Sequence, residues 1–251
     1  MSELFQHLSQ QQADLWVNAP FVVETGVNAF APYCSKYQFL QDFKGTPSSI
    51  VLFPPRNRLQ QQSWLADCTR LLPPYGILIT AQENRAGAKS LQKDVEAVFE
   101  SVQVESKYKG RIITATGPIQ QDAQPLLHYV ETIHAWSAPG LFAWDRLDKG
   151  SALLLDHMPD LYGDVADFGC GWGALSRAIL KQNAVETLTA IDADALAIAA
   201  IDKNITDPRF TSQWRDATES INKTFDAILM NPPFHEGGKA DRHDLGAAMI
   251  D

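Results

Sequence analysis

Cysteine is scarce: Cys34, Cys68 and Cys170 are odd in number, widely spaced and never in a CxxC pair. That argues against both a disulfide framework and a zinc site, and the three read as reduced thiols. Positive charge is short as well, 21 Lys and Arg against 30 Asp and Glu, giving a formal net charge of -9. This is the wrong sign for a non-specific polyanion binder, so any nucleic acid has to be held by a local patch. Long apolar runs are missing: none approaches the ~18 residues of a membrane span, and Met1-Ser-Glu-Leu-Phe-Gln-His7 lacks a basic stretch followed by an apolar segment. The expectation is a cytoplasmic protein with no membrane partner. His7, His128, His134, His157 and His243 show no ligand spacing, so no metal site is expected.

What is present is globular: 45% hydrophobic and 20% charged residues in a 251-residue chain, enough for one large domain or two modest ones. One internal echo favours two. Ile50-Val-Leu-Phe-Pro-Pro55 resembles Ile228-Leu-Met-Asn-Pro-Pro233, each an apolar run ended by a double proline. A parallel strand buried on both faces reads this way, and proline ends its ladder because it has no N–H to donate.

In the first half, Gln60 to Leu72 carries apolar residues at helical spacing, and a strand is expected from Gly76 to Thr80. A helix from Leu91 to Ser101 and a strand from Gly110 to Ala115 follow. Alternating strands and helices imply an α/β layer structure. Its first 45 residues contain no glycine-rich turn, so this half reads as a structural or recruiting domain. The alternation breaks between Gly117 and about Leu141. The division expected is an N-terminal α/β domain over residues 1–125, a linker over 126–140 and a second α/β domain over 141–251.

The second half offers four strands, beginning at Val165, Leu188, Phe210 and Phe225, with helices at Ala174 to Gln182 and Ala195 to Asn204. This is the doubly wound pattern. Asp167-Phe-Gly-Cys-Gly-Trp-Gly173 sets glycines at alternate positions where the first strand should turn into a helix. Such a turn needs positive φ angles and close backbone approach, which glycine permits. Asp192 ends the next strand 19 residues after Gly173, where a carboxylate can accept hydrogen bonds from both hydroxyls of a ribose. The third glycine comes one residue too early for the dinucleotide fingerprint, which disfavours NAD.

The glycine loop, Asp192 and Asp216-Ala217 at a third strand end together resemble the class I S-adenosylmethionine methyltransferases. The resemblance implies S-adenosylmethionine as cofactor. It also implies that Asp167, Gly169, Gly171 and Gly173 shape the methionine and ribose site, that Asp192 holds the ribose and that Asp216 and Ala217 meet the adenine. The fourth strand ends in Asn231-Pro-Pro-Phe234, similar to the [DNS]PP[YFW] motif of amino-group methyltransferases. An exocyclic amine conjugated to a base is a poor nucleophile because its lone pair is delocalised. The Asn231 side-chain oxygen and the Pro232 carbonyl would accept hydrogen bonds from the amine and stabilise its developing charge, while Phe234 stacks on the base. Neither metal nor covalent intermediate is needed. His235 and Glu236 follow as candidates to receive the departing proton.

Asn231-Pro-Pro-Phe-His-Glu-Gly237, Pro139-Gly-Leu-Phe-Ala-Trp-Asp-Arg-Leu-Asp-Lys-Gly-Ser151 and Glu83-Asn-Arg-Ala-Gly87 extend the likeness to most of the chain. They resemble the two-domain ribosomal RNA guanine-N2 methyltransferases of bacteria, in the methyltransferase small family. That resemblance implies an N-terminal domain that is a degenerate copy of the catalytic one, with Phe53 where the second half has Asn231. It implies that the segment from Phe142 to Ser151 helps to close the cofactor pocket. It also implies a substrate in ribosomal RNA, naked or within a small or large subunit. The family usually has Arg near Trp144 and Gly near Arg146, so the finer pocket shape differs. Arg56, Arg58, Arg85, Lys89, Lys107, Lys109 and Arg111 are the candidate RNA-facing patch.

Two other readings stay open. The same tetrapeptide serves a protein glutamine amide or adenine N6. And because the class I fold has seven strands while the chain ends 18 residues after Pro233, the second domain is expected to be incomplete at its C-terminus, which would leave a non-catalytic cofactor-binding module.

Overall fold

The computed structural model describes residues 2–18, 26–27, 40–122, 125–219 and 221–232. They fall into two compact units, which divide between Leu126 and Leu127.

The first unit is built on β1 (Leu15–Val17), β2 (Gly26–Val27), β3 (Ser49–Leu52), β4 (Ile77–Glu83), β5 (Phe99–Lys107) and β6 (Gly110–Pro118), with helices α1 (Glu3–Leu8), α2 (Arg58–Leu71) and α3 (Ala88–Glu96). The strand order is β2-β1-β3-β4-β6-β5. The first four strands are parallel, and β6 runs antiparallel to both neighbours. The apolar run through β3 is explained by two covered faces. Ile50 and Leu52 pack with Leu65, Cys68 and Leu91 of α2 and α3, while Val51 and Phe53 pack with Leu4 and Leu8 of α1. Alternate residues of a strand point to opposite faces, so both sets must be apolar. Asn57 caps α2, its side chain accepting from the N–H groups of Leu59 and Gln60.

One expectation about this unit is corrected. The helix over Leu91 to Ser101 ends at Glu96, and its last residues open β5 instead. That strand lies at the sheet edge and exposes Glu100, Gln103, Glu105 and Lys107, so it carries no apolar alternation to betray it.

The second unit runs from Leu127. It opens with an antiparallel pair, β7 (His128–Val130) and β8 (Ala135–Ser137), followed by α4 (Lys149–Asp156). The segment expected to be a linker over 126–140 is therefore folded structure. Its Trp136 exchanges two hydrogen bonds with the Asn204 side chain, at 2.7 and 2.8 Å. A Pro- and Gln-rich lead-in hid a three-residue hairpin too short for periodicity to reveal.

The main sheet comprises β9 (Gly163–Phe168), β10 (Val185–Asp192), β11 (Phe210–Trp214) and β12 (Ala227–Met230), with α5 (Ala174–Ile179) after β9 and α6 (Ala195–Asn204) after β10. The order is β11-β10-β9-β12, all parallel. Numbered within the sheet, this is 3-2-1-4, the doubly wound order whose reversal lies between its first and fourth strands. Val165, Leu175, Ile179, Val185 and Leu188 form the core on one side. Ala166, Phe168 and Ile191 meet Ala217, Phe225 and Met230 on the other. No helix among the described residues is long and apolar enough to cross a membrane.

Candidate active site

The strand register brings the predicted residues to one edge. Phe168 of β9 lies opposite both Ile191 of β10 and Met230 of β12. The next residue on each strand is therefore Gly169, Asp192 and Asn231, side by side at the carboxyl ends. In open α/β sheets this edge, at the switch point, is where ligands bind.

Gly169, Gly171 and Gly173 adopt φ angles of +70, +53 and +93°. Two kinds of demand separate them. A Cβ added at Gly169 or Gly171 would meet nothing within 4 Å, whereas one at Gly173 would lie 2.7 Å from Ile201 Cγ1. Gly173 thus permits α5 and α6 to pack, while the other two leave bare backbone beside open space.

Asp192 is tied into this loop. Its carboxylate accepts from the main-chain N–H of Gly171 at 2.9 Å and from that of Asp194 at 2.8 Å. A carboxylate has about four acceptor positions, so Asp192 can still accept from a further donor. Asp167 is fully buried, with Oδ2 accepting from the Ser176 hydroxyl at 2.6 Å and its N–H at 3.0 Å. Its Oδ1 is buried without a partner. Burial, reinforced by the Asp192 charge, pushes Asp167 up to about 6. Asp194 caps α6 through the Leu196 N–H and is pushed up to about 7 by burial and again by Asp192. Burial also raises Asp192 and holds the Cys170 thiol protonated. Three carboxylates compressed together favour a cationic guest.

Asp216 stands just past β11. Its side chain accepts from the N–H and hydroxyl of Thr218, which closes a local turn, while Arg215 N–H donates to the Asp192 carbonyl. Ala217 packs against the Phe168 cluster. Phe142 is 63% exposed. It precedes Ala143, which is held at φ +45° with its carbonyl accepting from the Trp172 indole N–H at 3.2 Å. Trp172 lies inside the glycine loop, so the loop itself anchors the Phe142 segment.

Asn231 is bound from an unexpected side. Its Nδ2 donates to Asp148 Oδ2 at 3.0 Å and to Ser151 Oγ at 2.9 Å. Asp148 also caps α4, accepting from the N–H groups of Gly150 and Ser151. Burial opposes its ionisation, but the bonds from Asn231 and from the Ser151, Gly150 and Lys149 N–H groups outweigh this and lower its pKa. An acidic residue before an apolar run is a readable cap signal, but nothing local announces a partner 83 residues away. Pro232 ends the described stretch, and Pro233, Phe234, His235 and Glu236 lie outside the described residues.

The expected basic patch is partly neutralised within its own unit. Asp94 pairs with Arg58, Glu83 with Arg85 and Glu105 with Lys107. Arg111 donates to Gln92. Lys109 stays close to Arg85 through the bond from Asn84 N–H to its carbonyl.

Residues 132–251 match the methyltransferase small domain. Ribosomal RNA small subunit methyltransferase C of Shewanella pealeana is 31% identical over 201 residues, covering 75% of this chain and 58% of the relative. The protein of that name from Shewanella loihica is 29% identical over 205 residues, covering 76% and 60%. The chain thus spans about three fifths of the length of the curated relatives it matches. Among solved structures, the T. thermophilus 16S rRNA N2 G1207 methyltransferase in complex with AdoMet and guanosine superposes with a TM-score of 0.76. It covers 99% of this chain and 78% of that one, at 19% identity, a likeness of fold. Residues 132–251 thus match the methyltransferase small domain, and the fold is that of the class I methyltransferases.

Proposed function

We propose that the protein transfers a methyl group from S-adenosylmethionine to an exocyclic amine, guanine N2 of small-subunit ribosomal RNA, as a cytoplasmic enzyme. The observation that carries the reading is the register that sets Asn231 beside the glycine turn, one strand from Asp192. The residues fit the cofactor. Open space over Gly169 and Gly171 suits a ligand lying on backbone, and the unpartnered Asp167 Oδ1 and the crowded Asp192 and Asp194 suit a positive charge. When bound, S-adenosylmethionine supplies an electrophilic methyl carbon on a sulfonium.

The chain's own part is positioning and charge. Asp192 would hold the ribose, Asp167 the methionine end, Asp216 and Ala217 the adenine edge, and Phe142 the outer wall. Asn231 Oδ1 and the Pro232 carbonyl would accept hydrogen bonds from the two N–H groups of the amine, shifting its lone pair out of conjugation and stabilising the positive nitrogen, which then releases one proton to solvent. The names of the relatives support the guanine and the small subunit over a glutamine amide or adenine. The cluster of Arg85, Lys107, Lys109 and Arg111 would meet phosphate, because exposed ion pairs are weak and exchange partners readily.

Calorimetric titration with S-adenosylmethionine, followed by transfer of labelled methyl to small ribosomal subunits and their naked RNA, tests this. Binding and transfer by wild type, with transfer lost in Asn231→Ala, is the expected result. A folded protein that binds no cofactor would reject it.

A further inference from the structure

A primary amide presents an acceptor and a donor of nearly equal size, so the shape of a pocket alone does not choose between its two orientations. The choice is decisive at Asn231. If the amide were turned over, its NH2 would face the hydrogens of the amine, donor against donor. Here both Nδ2 hydrogens are directed inward, one to Asp148 Oδ2 at 3.0 Å and one to Ser151 Oγ at 2.9 Å. An ionised carboxylate can only accept, so it discriminates between the two ends of the amide.

The lock is assembled in the first turn of α4. Asp148 Oδ2 takes three donors at once: the N–H of Gly150 at 2.7 Å, the N–H of Ser151 at 3.2 Å and Asn231 Nδ2. Those bonds hold the carboxylate ionised against its partial burial. Gly150 completes the fit, because a Cβ there would come within 3.0 Å of Asn231 Oδ1 and 3.3 Å of Nδ2.

We propose that Asp148, assisted by Ser151, is a positioning residue that fixes the rotation of the Asn231 amide so that Oδ1 is the atom offered to the substrate amine. The proposal rests on the methyl-transfer reading of the same site. Asp148 need not touch substrate.

The variants are chosen to keep the helix cap. In Asp148→Ser the side chain still caps α4 but is too short for Asn231, whereas Asp148→Asn keeps an acceptor oxygen for both. In full-length protein, kcat on the RNA substrate should fall about 30-fold or more in D148S, with cofactor Kd and thermal midpoint close to wild type. D148N should recover most of that loss, and Ser151→Ala should show a smaller fall. A D148S enzyme turning over like wild type would overturn the proposal. So would a D148S loss that D148N fails to recover, which would mean that charge and not orientation matters.

A second readout does not depend on turnover. In 15N-labelled protein the Asn231 side-chain NH2 signals, identified by their absence in Asn231→Ala, should be protected from solvent exchange in wild type and lose that protection in D148S. Unprotected signals in wild type overturn the lock. Protected signals in a protein that transfers no methyl group would instead reject the functional reading and leave the orientation established.

Discussion

The main-chain N–H of Gly171 donates to the Asp192 carboxylate at 2.9 Å, so the acid that ends β10 also holds the turn that ends β9. One residue thus shapes the glycine loop and presents lone pairs beside it. Asp192→Ala should cost more than a ligand contact. Leaving the Gly171 and Asp194 N–H groups unpaired should lower stability by about 1–3 kcal/mol. Cofactor affinity should fall by more than about 100-fold, since a lost charge-assisted pair is added to a loosened loop. Asp192→Asn, which keeps one acceptor, should recover most of the thermal midpoint but little of the affinity. Scanning calorimetry and titration calorimetry on the three proteins separate the two effects.

The crowded carboxylates make a pH prediction with a defined sign. Asp167 and Asp194 are raised to about 6 and about 7 in the folded protein, and Asp192 is raised too. In the unfolded chain all three titrate near ~4. A raised folded pKa gives stability that is fully present below the unfolded value and is lost as pH rises through the folded one. The ligand-free second unit should therefore melt higher at pH 5 than at pH 8. Carboxylates that are lowered, such as Asp148 and Asp207, lose their contribution only in stronger acid and do not mask this window. Affinity for the cationic cofactor should run the opposite way and weaken as pH falls through the same range. Binding at pH 7 should take place with proton release, read from titrations in buffers of different ionisation enthalpy. In Asp194→Asn both slopes should flatten.

The three loop glycines should fail differently. Gly169→Ala and Gly171→Ala meet no neighbour within 4 Å, so their structural cost is that of a left-handed alanine, about 1–2 kcal/mol. Their methyl groups would occupy the space over the backbone, and cofactor affinity should fall well beyond what stability explains. Gly173→Ala drives a methyl to 2.7 Å from Ile201 and should chiefly destabilise. Pairing it with Ile201→Ala should restore part of the thermal midpoint. Thermal melts with and without cofactor distinguish these outcomes.

Much of this site was legible because its residues sit at strand ends, where sequence patterns are sharpest. The apolar runs entering Asp167 and Asp192 mark buried parallel strands, and α6 starts and stops where its apolar pattern does. The run entering Asn231 marks a parallel strand too, but one at the sheet edge with Ile228 exposed rather than buried on both faces. What stayed hidden was tertiary. The bonds from Asn231 to Asp148 and Ser151, and from Trp172 to Ala143, join positions that local periodicity treats independently. β5 was missed because an exposed edge strand needs no apolar face. The basic patch was overstated for a related reason: counting Arg and Lys does not reveal that Asp94, Glu83 and Glu105 stand beside three of them.

The first unit carries the counterpart of the Asn231-Pro-Pro-Phe234 tetrapeptide, and its structure explains why Phe53 cannot be exchanged for the Asn231 of the second. Phe53 is only 3% exposed and stacks on Trp16 of β1 with ring centroids 6.3 Å apart, while Phe5 of α1 lies tilted at 5.7 Å. The Asn18 side chain donates to its carbonyl at 3.1 Å. The strand ends that hold the glycine loop and Asn231 in the second unit are here packed with aromatic rings. Phe53→Asn should therefore create no second site. It should remove a buried ring, at about 3–5 kcal/mol, and bury an amide among apolar neighbours at further cost. Phe53→Leu, which keeps most of the apolar volume, should cost much less. Urea unfolding followed by tryptophan fluorescence should show the Asn variant losing its first unit at far lower denaturant than the Leu variant. Cofactor titration should give one site per chain in wild type and in Phe53→Leu, and a second site appearing in Phe53→Asn would show that the aromatic cluster, rather than the lost glycine turn, had been the barrier.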